Sequence, residues 1–351
     1  MLNSTKIIYG IALALTFGLA VTLKAQSLYI GMQGNNTIGE YGTGGSTFNA
    51  SLVSGLDGPI DVAISGTNLF VVNYDSGTVG EYTTNGATVN ASLISGLGSP
   101  TGIAISGTNL FVVNYNSGTV GQYTTSGQPI NASLISGLGQ YTADGITISG
   151  ANLYIGNLDS GTIGEYTTSG GTVTSALVSG LRGPFAMAIS GTNLFVTSYG
   201  SGTVGQYTTA GAAVNTSLIS GLNGPFGITI SETNLFITVL GDGTVDQFTT
   251  SGQPVNVPLL SGLSEPSGIA IGPGPLRFTG INISGHTLNI NAVNGPPGGT
   301  FTLLQSTNVS LPLTNWTAVL TNTFDSNGNV SLSTNVVSRF KPVDFYILAV
   351  P

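Results

Sequence analysis

The tripeptide Ser-Gly-Leu recurs six times along the chain, with its glycine at Gly55, Gly96, Gly137, Gly180, Gly221 and Gly262, so that successive copies lie 41, 41, 43, 41 and 41 residues apart. A period of this length marks a repeat architecture, in which each unit buries its apolar surface only against its neighbours. Within one unit the runs GIAIS (102–106), NLFVVNY (109–115), TVGQY (119–123) and NASLI (131–135) are short, rich in β-branched and aromatic residues, and separated by turn signals. Four strands in about 41 residues is the size of one β-propeller blade.

Counting strand types fixes the number of blades and the way the ring closes. The GIAI-type strand begins near Ile60, Thr101, Asp144, Phe185, Phe226 and Ser267, and the LFVV-type strand at Leu28, Leu69, Leu110, Leu153, Leu194 and Leu235. The first copy lacks a GIAI strand of its own, and the last, SGIAI (267–271), lacks everything after it. The expected fold is therefore an all-β, six-bladed propeller whose last strand becomes the innermost strand of the first blade, which removes both free edges. From Pro275 the period disappears, and six strand-like runs between 277 and 350 predict a small antiparallel β-sandwich. The expected domains are 1–25, 26–274 and 275–351.

The stretch GSPTGIAISGTNLFVVNYNSGTVGQYTTSG (98–127) resembles the repeat of the NHL and YVTN families of β-propellers. Their pattern runs Pro-x-Gly, an apolar strand, a turn, Asn-Leu-Tyr-Val and a polar tip. It departs from them at the turn, where Ser-Gly-Thr-Asn replaces an Asp-containing one. LLQSTNVSLPLTNWTAV with the ending FYILAVP resembles small C-terminal modules of exported bacterial repeat proteins, which implies a surface or secreted setting. Propellers of these families include enzymes, ligand binders and scaffolds, so the resemblance implies an architecture rather than an activity.

The N-terminus supports export. A single lysine among residues 1–6, an apolar to weakly polar run from Ile7 to Leu23 and a small residue at Ala25 read as a signal peptide cleaved after Ala25. An uncleaved anchor is the alternative, since the run approaches the roughly 20 residues that span a bilayer. After cleavage no membrane span is expected, and the destination is secreted, periplasmic or cell-surface. The chain contains no cysteine, which excludes disulfides, thiolate catalysis and zinc–thiolate sites. Net charge is −8 and Arg182 is the only basic residue between Gln26 and Gly274, so a nucleic-acid partner, which needs clustered Lys and Arg, is not expected.

Blade topology predicts that loops entering the inner strand and loops leaving the second strand share one face. There the repeat varies most: the inner strands open with Ile60, Thr101, Asp144, Phe185, Phe226 or Ser267, and the second-strand tips are Asn73-Tyr74, Asn114-Tyr115, Asn157-Leu158, Ser198-Tyr199 and Val239-Leu240. The spacing of 43 places two extra residues around Gln140-Tyr141, just before Asp144. Aromatics interleaved with Asn and Asp stack on sugar rings and bond hydroxyls. Tyr74, Tyr115, Tyr199, Phe185 and Phe226, with Asp144, Asn73, Asn114 and Asn157, are the candidate binding residues for a glycan, peptide or protein partner. Packing between blades is the competing use of these aromatics.

Two other functions stand beside a binding scaffold. Asp61 and Asp144 are the carboxylates beside inner-strand starts, and with Asn73, Asn114 and Asn157 they would be the ligands of a calcium ion at the axis, as in calcium-dependent lactonase propellers. Asp61 alternatively compensates for the glycine its blade lacks. A purely structural surface protein with no site is the third reading. No catalytic residue is assigned: the lone histidine, His286, falls at an apparent turn outside the ring, whereas the lyases among similar propellers rely on a histidine within it.

Two regularities read as structural. The residue before the third-strand aromatic is Glu40, Glu81, Gln122, Glu165, Gln206 or Gln247, a polar belt between blades, and the sequons at Asn49, Asn90 and Asn131 share one repeat position.

Overall fold

The structure, a computed structural model, describes residues 26–274, 277–284, 287–293, 299–306, 315–325, 329–335 and 345–349. The segment read as a signal peptide and His286 lie outside the described residues. Among the described residues no helix is long and apolar enough to cross a membrane.

Residues Gln26–Gly272 form one compact unit of six four-stranded antiparallel sheets. In each blade the order is inner, second, third and outer strand, as in blade 2, where Pro59–Ser65, Asn68–Asn73, Thr78–Thr83 and Thr88–Ile94 lie side by side. Blade 1 consists of Gln26–Met32, Thr37–Gly42 and Thr47–Ser54, and its inner strand is Pro266–Pro273 from the far end of the ring. The closure expected from the incomplete first and last repeats is thus the one observed.

The core is divided among the blade interfaces. Phe70 and Val72 of blade 2 pack against Leu110 and Val112 of blade 3, and equivalent clusters fill the other five interfaces. Phe70, Phe111, Phe195 and Phe236 occupy the same repeat position and are fully buried, each worth roughly 1.5–3 kcal/mol of burial. In blades 1 and 4 a tyrosine takes this place. The hydroxyls of Tyr29 and Tyr154 donate across the blade interface to the Thr84 and Thr209 carbonyls and also to Glu40 and Glu165. Burial pushes the Tyr29 hydroxyl pKa far up and also raises that of Glu40.

The polar belt is satisfied within the blades. Glu40 accepts from Ser27 at 2.8 Å, Glu81 from Asn68 at 2.9 Å and Glu165 from Asn152 at 2.7 Å, while Gln206 donates to Asn193 at 3.1 Å. The sequon asparagines have an equally local use. In the outer strands Asn49, Asn90, Asn131 and Asn215 each accept, through Oδ1, the backbone N–H of the serine two residues on, all at 3.1 Å. These bonds sit where the outer strand slips register against the third. Such bulges twist an exposed edge away from pairing with other chains.

The C-terminal strands pair as two small antiparallel sheets. Arg277–Ser284, Thr287–Val293 and Val330–Asn335 form one, and Thr317–Thr323, Thr300–Ser306 and Phe345–Ala349 the other. Leu288, Ile290 and Leu332 from the first and Phe301 and Leu303 from the second belong to one apolar cluster with Phe324.

Candidate functional site at the mouth of the ring

Each second strand ends opposite the start of its inner strand: Pro59 faces Asn73, Pro100 Asn114, Ala143 Asn157, Pro184 Ser198 and Pro225 Val239. The inner-strand starts and second-strand tips therefore share one face. In every one of these pairs the ladder slips register just after that first pair, so Ile60, Thr101, Asp144, Phe185 and Phe226 stand at bulges rather than in regular pairing.

Along the axis lies a cavity of about 160 Å3, bordered by all six inner strands. Ile60, Thr101, Phe185 and Phe226 border it, and the rings of Phe185 and Phe226 lie against each other with centroids 3.6 Å apart. The inner strands can approach this closely because the position after the bulge is usually glycine. A Cβ on Gly145 would lie 1.9 Å from the Phe185 carbonyl oxygen of the next blade.

Blade 2 carries Asp61 at that glycine position. Its carboxylate bridges the blades: Oδ2 accepts the Ile103 N–H of blade 3 at 2.9 Å, and Oδ1 accepts the Val62 N–H at 2.8 Å. Asp61 is half-buried and borders the axial cavity. Desolvation pushes its pKa up to about 7, against the opposing pull of the two N–H donors.

Asp144 is 2% exposed, and its Oδ1 has no hydrogen-bond partner. Burial, with a smaller contribution from the nearby Asp61 charge, holds its pKa well above the usual carboxylate range. Asn73 and Asn114 are also buried, each with its Oδ1 unpartnered and its amide nitrogen donating to Thr78 or Thr119. The polar atoms of Asn157 are committed to the fold, its amide donating to the Leu138 carbonyl and Thr142 Oγ1 and its Oδ1 accepting from Ser160.

The aromatic candidates fall into separate groups. Tyr74 and Tyr115 on blades 2 and 3 are neighbours, with centroids 6.4 Å apart. Tyr141, supplied by the two-residue insertion, extends them, its ring meeting Tyr115 edge-on at 5.7 Å and 65°. Phe185 and Phe226 sit deeper, at the cavity, and Tyr199 lies over Gly224 with 47% of its surface exposed.

Tyr141 is the residue that reasoning from the sequence did not place in the site. Its φ of +61° is a conformation that a bulky side chain rarely adopts. Its N–H is held by the Tyr115 carbonyl at 2.8 Å, and Asn157 and Thr142 pin the preceding turn. The signal available in the sequence was the insertion itself, the one departure from the 41-residue period, with an aromatic residue inside it.

Among the described residues no group of three or more His, Cys, Asp or Glu is assembled to hold a metal ion. Both Asp61 oxygens already accept backbone donors, so a calcium ion there would have to compete with the contact that joins blades 2 and 3.

Fold and repeat together define a six-bladed repeat β-propeller. Residues 9–284 match the virginiamycin B lyase family, and the chain belongs to that family. No curated protein matches it. Similar solved structures include a chain of the nidogen/laminin complex, with a TM-score of 0.60, 17% identity and coverage of 70% of this chain and 98% of that one. A protein of unknown function from Bacteroides caccae aligns with a TM-score of 0.53, 14% identity and coverage of 70% and 98%. Virginiamycin B lyase from Staphylococcus aureus aligns with a TM-score of 0.50, 17% identity and coverage of 77% and 89%. At these identities the likeness is one of fold.

Proposed function

We propose that this protein is a non-enzymatic binding propeller that works outside the cytoplasm and presents the mouth of its ring to a glycan, peptide or protein partner. The observation that carries this reading is the Tyr74–Tyr115–Tyr141 cluster. Its outermost member is held in a costly left-handed backbone conformation and is 57% exposed, so ring packing does not account for it. Strained residues that persist on a rigid frame concentrate at binding and catalytic sites. A relative in fold from the nidogen/laminin complex is consistent with a protein partner.

The activity in the family's name is not part of this reading, because the ring contains no histidine to act as acid or base. A calcium-dependent hydrolase is less well supported, since Asp61 is engaged in joining two blades. The test is to screen the purified protein and its Tyr115→Ala variant on glycan and peptide arrays. Ligands retained by the native protein and lost by the variant would support the proposal. Binding unaffected by Tyr115→Ala and by Tyr141→Ala would overturn it.

A further inference from the structure

We propose that the mouth of the ring over blades 2 to 4 binds an alkylammonium group, with the Asp144 carboxylate as counter-ion and Tyr74, Tyr115 and Tyr141 as its aromatic walls. This rests on the reading of the face as a binding surface and assigns the chemistry of what it binds.

Three independent observations converge. Asp144 is almost wholly buried, its Oδ1 lacks any partner, and it follows by three residues Tyr141, whose N–H is held by the Tyr115 carbonyl at 2.8 Å; its charge also raises the pKa of the Tyr115 hydroxyl. A buried carboxyl is ordinarily paired or fully hydrogen-bonded, and this one is neither. Tyr74, Tyr115 and Tyr141 form a tilted, edge-on cluster on the same face, and aromatic faces attract ammonium groups most strongly where water is excluded. The charge of the face matches as well: its loops carry Asp57, Asp75, Asp159, Asp242 and Glu265, and Arg182 is the only base of the ring.

Such a site favours an organic cation over an inorganic one. No third carboxylate joins Asp61 and Asp144 among the described residues, while three aromatic rings cluster at the mouth. An alkylammonium satisfies one carboxylate and several ring faces, whereas a divalent ion needs six or more oxygens. Burial raises the pKa of Asp144, and pairing with a cation favours its ionised form, so binding should strengthen as pH rises.

The experiment is calorimetric titration of the purified protein with N-acetyl-lysine methylamide, tetramethylammonium chloride, N-acetyl-(acetyl-lysine) methylamide and calcium chloride. The expected result is saturable binding of the first two and none of the neutral acetylated probe. Asp144→Asn, close to isosteric, should weaken binding at least tenfold. Tyr141→Ala, at an exposed ring, should weaken it roughly two- to fivefold. A lysine tetrapeptide binding more than tenfold more tightly than the single residue would assign the ammonium to a polypeptide, and equal affinity would assign it to a free amine. Calcium binding in place of the amines, equal binding of the acetylated probe, or no saturable binding of either amine overturns the inference. Array ligands that are neutral yet sensitive to Tyr115→Ala would refute this inference and leave the binding propeller standing.

Discussion

Asp61 makes the stability of the ring dependent on pH in a direction opposite to that of a salt-bridged carboxylate. In the unfolded chain it ionises near 3.8, and in the folded ring its pKa is pushed up to about 7. Between these values the folded state holds a proton that the unfolded state has lost, so stability falls as pH rises through the window. The contribution is complete below about pH 4 and gone above about pH 7. Each tenfold difference in proton affinity between the folded and unfolded states corresponds to about 1.36 kcal/mol, so the ceiling is on the order of 4 kcal/mol. Water in the axial cavity would lower it. For a chain of this size that translates to a change in Tm of order 10 °C at most. Asp61→Asn removes the titration at the cost of one acceptor for the Ile103 and Val62 N–H groups, about 1 kcal/mol and independent of pH. The measurement is thermal unfolding by circular dichroism of both proteins at pH 4.5 and 8. The difference in Tm, variant minus native, should rise by several degrees from the lower to the higher pH. An unchanged difference would refute the assignment, because Glu40, Glu81 and Asp246, also raised by burial, are common to both proteins.

Other parts of the structure make sharper or smaller demands. Gly145→Ala should destabilise the ring by about 1–3 kcal/mol or prevent folding, because the added carbon meets a backbone oxygen that cannot yield; urea unfolding against the native protein measures it. Tyr154→Phe should cost no more than about 1 kcal/mol by the same assay, since it removes the bond to Thr209 while leaving the ring that four other blades already have as Phe. A chain ending after Glu265 should fail to give a protease-resistant ring, whereas one ending after Gly274 should give it, because only the first lacks the inner strand of blade 1.

The architecture was legible in the sequence because a repeat reports its own period. The missing inner strand before Leu28 and the surplus one at 267–271 were enough to predict how the ring closes. That a polar group recurs before the third-strand aromatic was legible for the same reason, but its partners were not: the belt expected between blades, with Thr hydroxyls and backbone as partners, is satisfied inside each blade, as Glu81 is by Asn68. The mouth was legible only as a set of variable positions. That Asp61 reaches across to Ile103, or that Asn157 holds up the Tyr141 turn, depends on side-chain direction between blades, and no period encodes it. Phe185 and Phe226, alike in sequence to the tyrosine tips as aromatic candidates, stand one residue into the inner strand and so meet each other at the cavity instead.

The strand that completes blade 1 is the last of the ring to be made. As the chain emerges, Gln26–Met32 exposes an unpaired edge that finds no native partner until Pro266–Pro273 has followed it. Blades 2 to 6 are complete in themselves, so this edge is the oldest unpaired strand on the growing chain and the one most open to wrong partners. Substitutions in the late strand should therefore act on the yield of folded protein before they act on the ring once it has closed. Folding of the first blade is timed by the synthesis of the last.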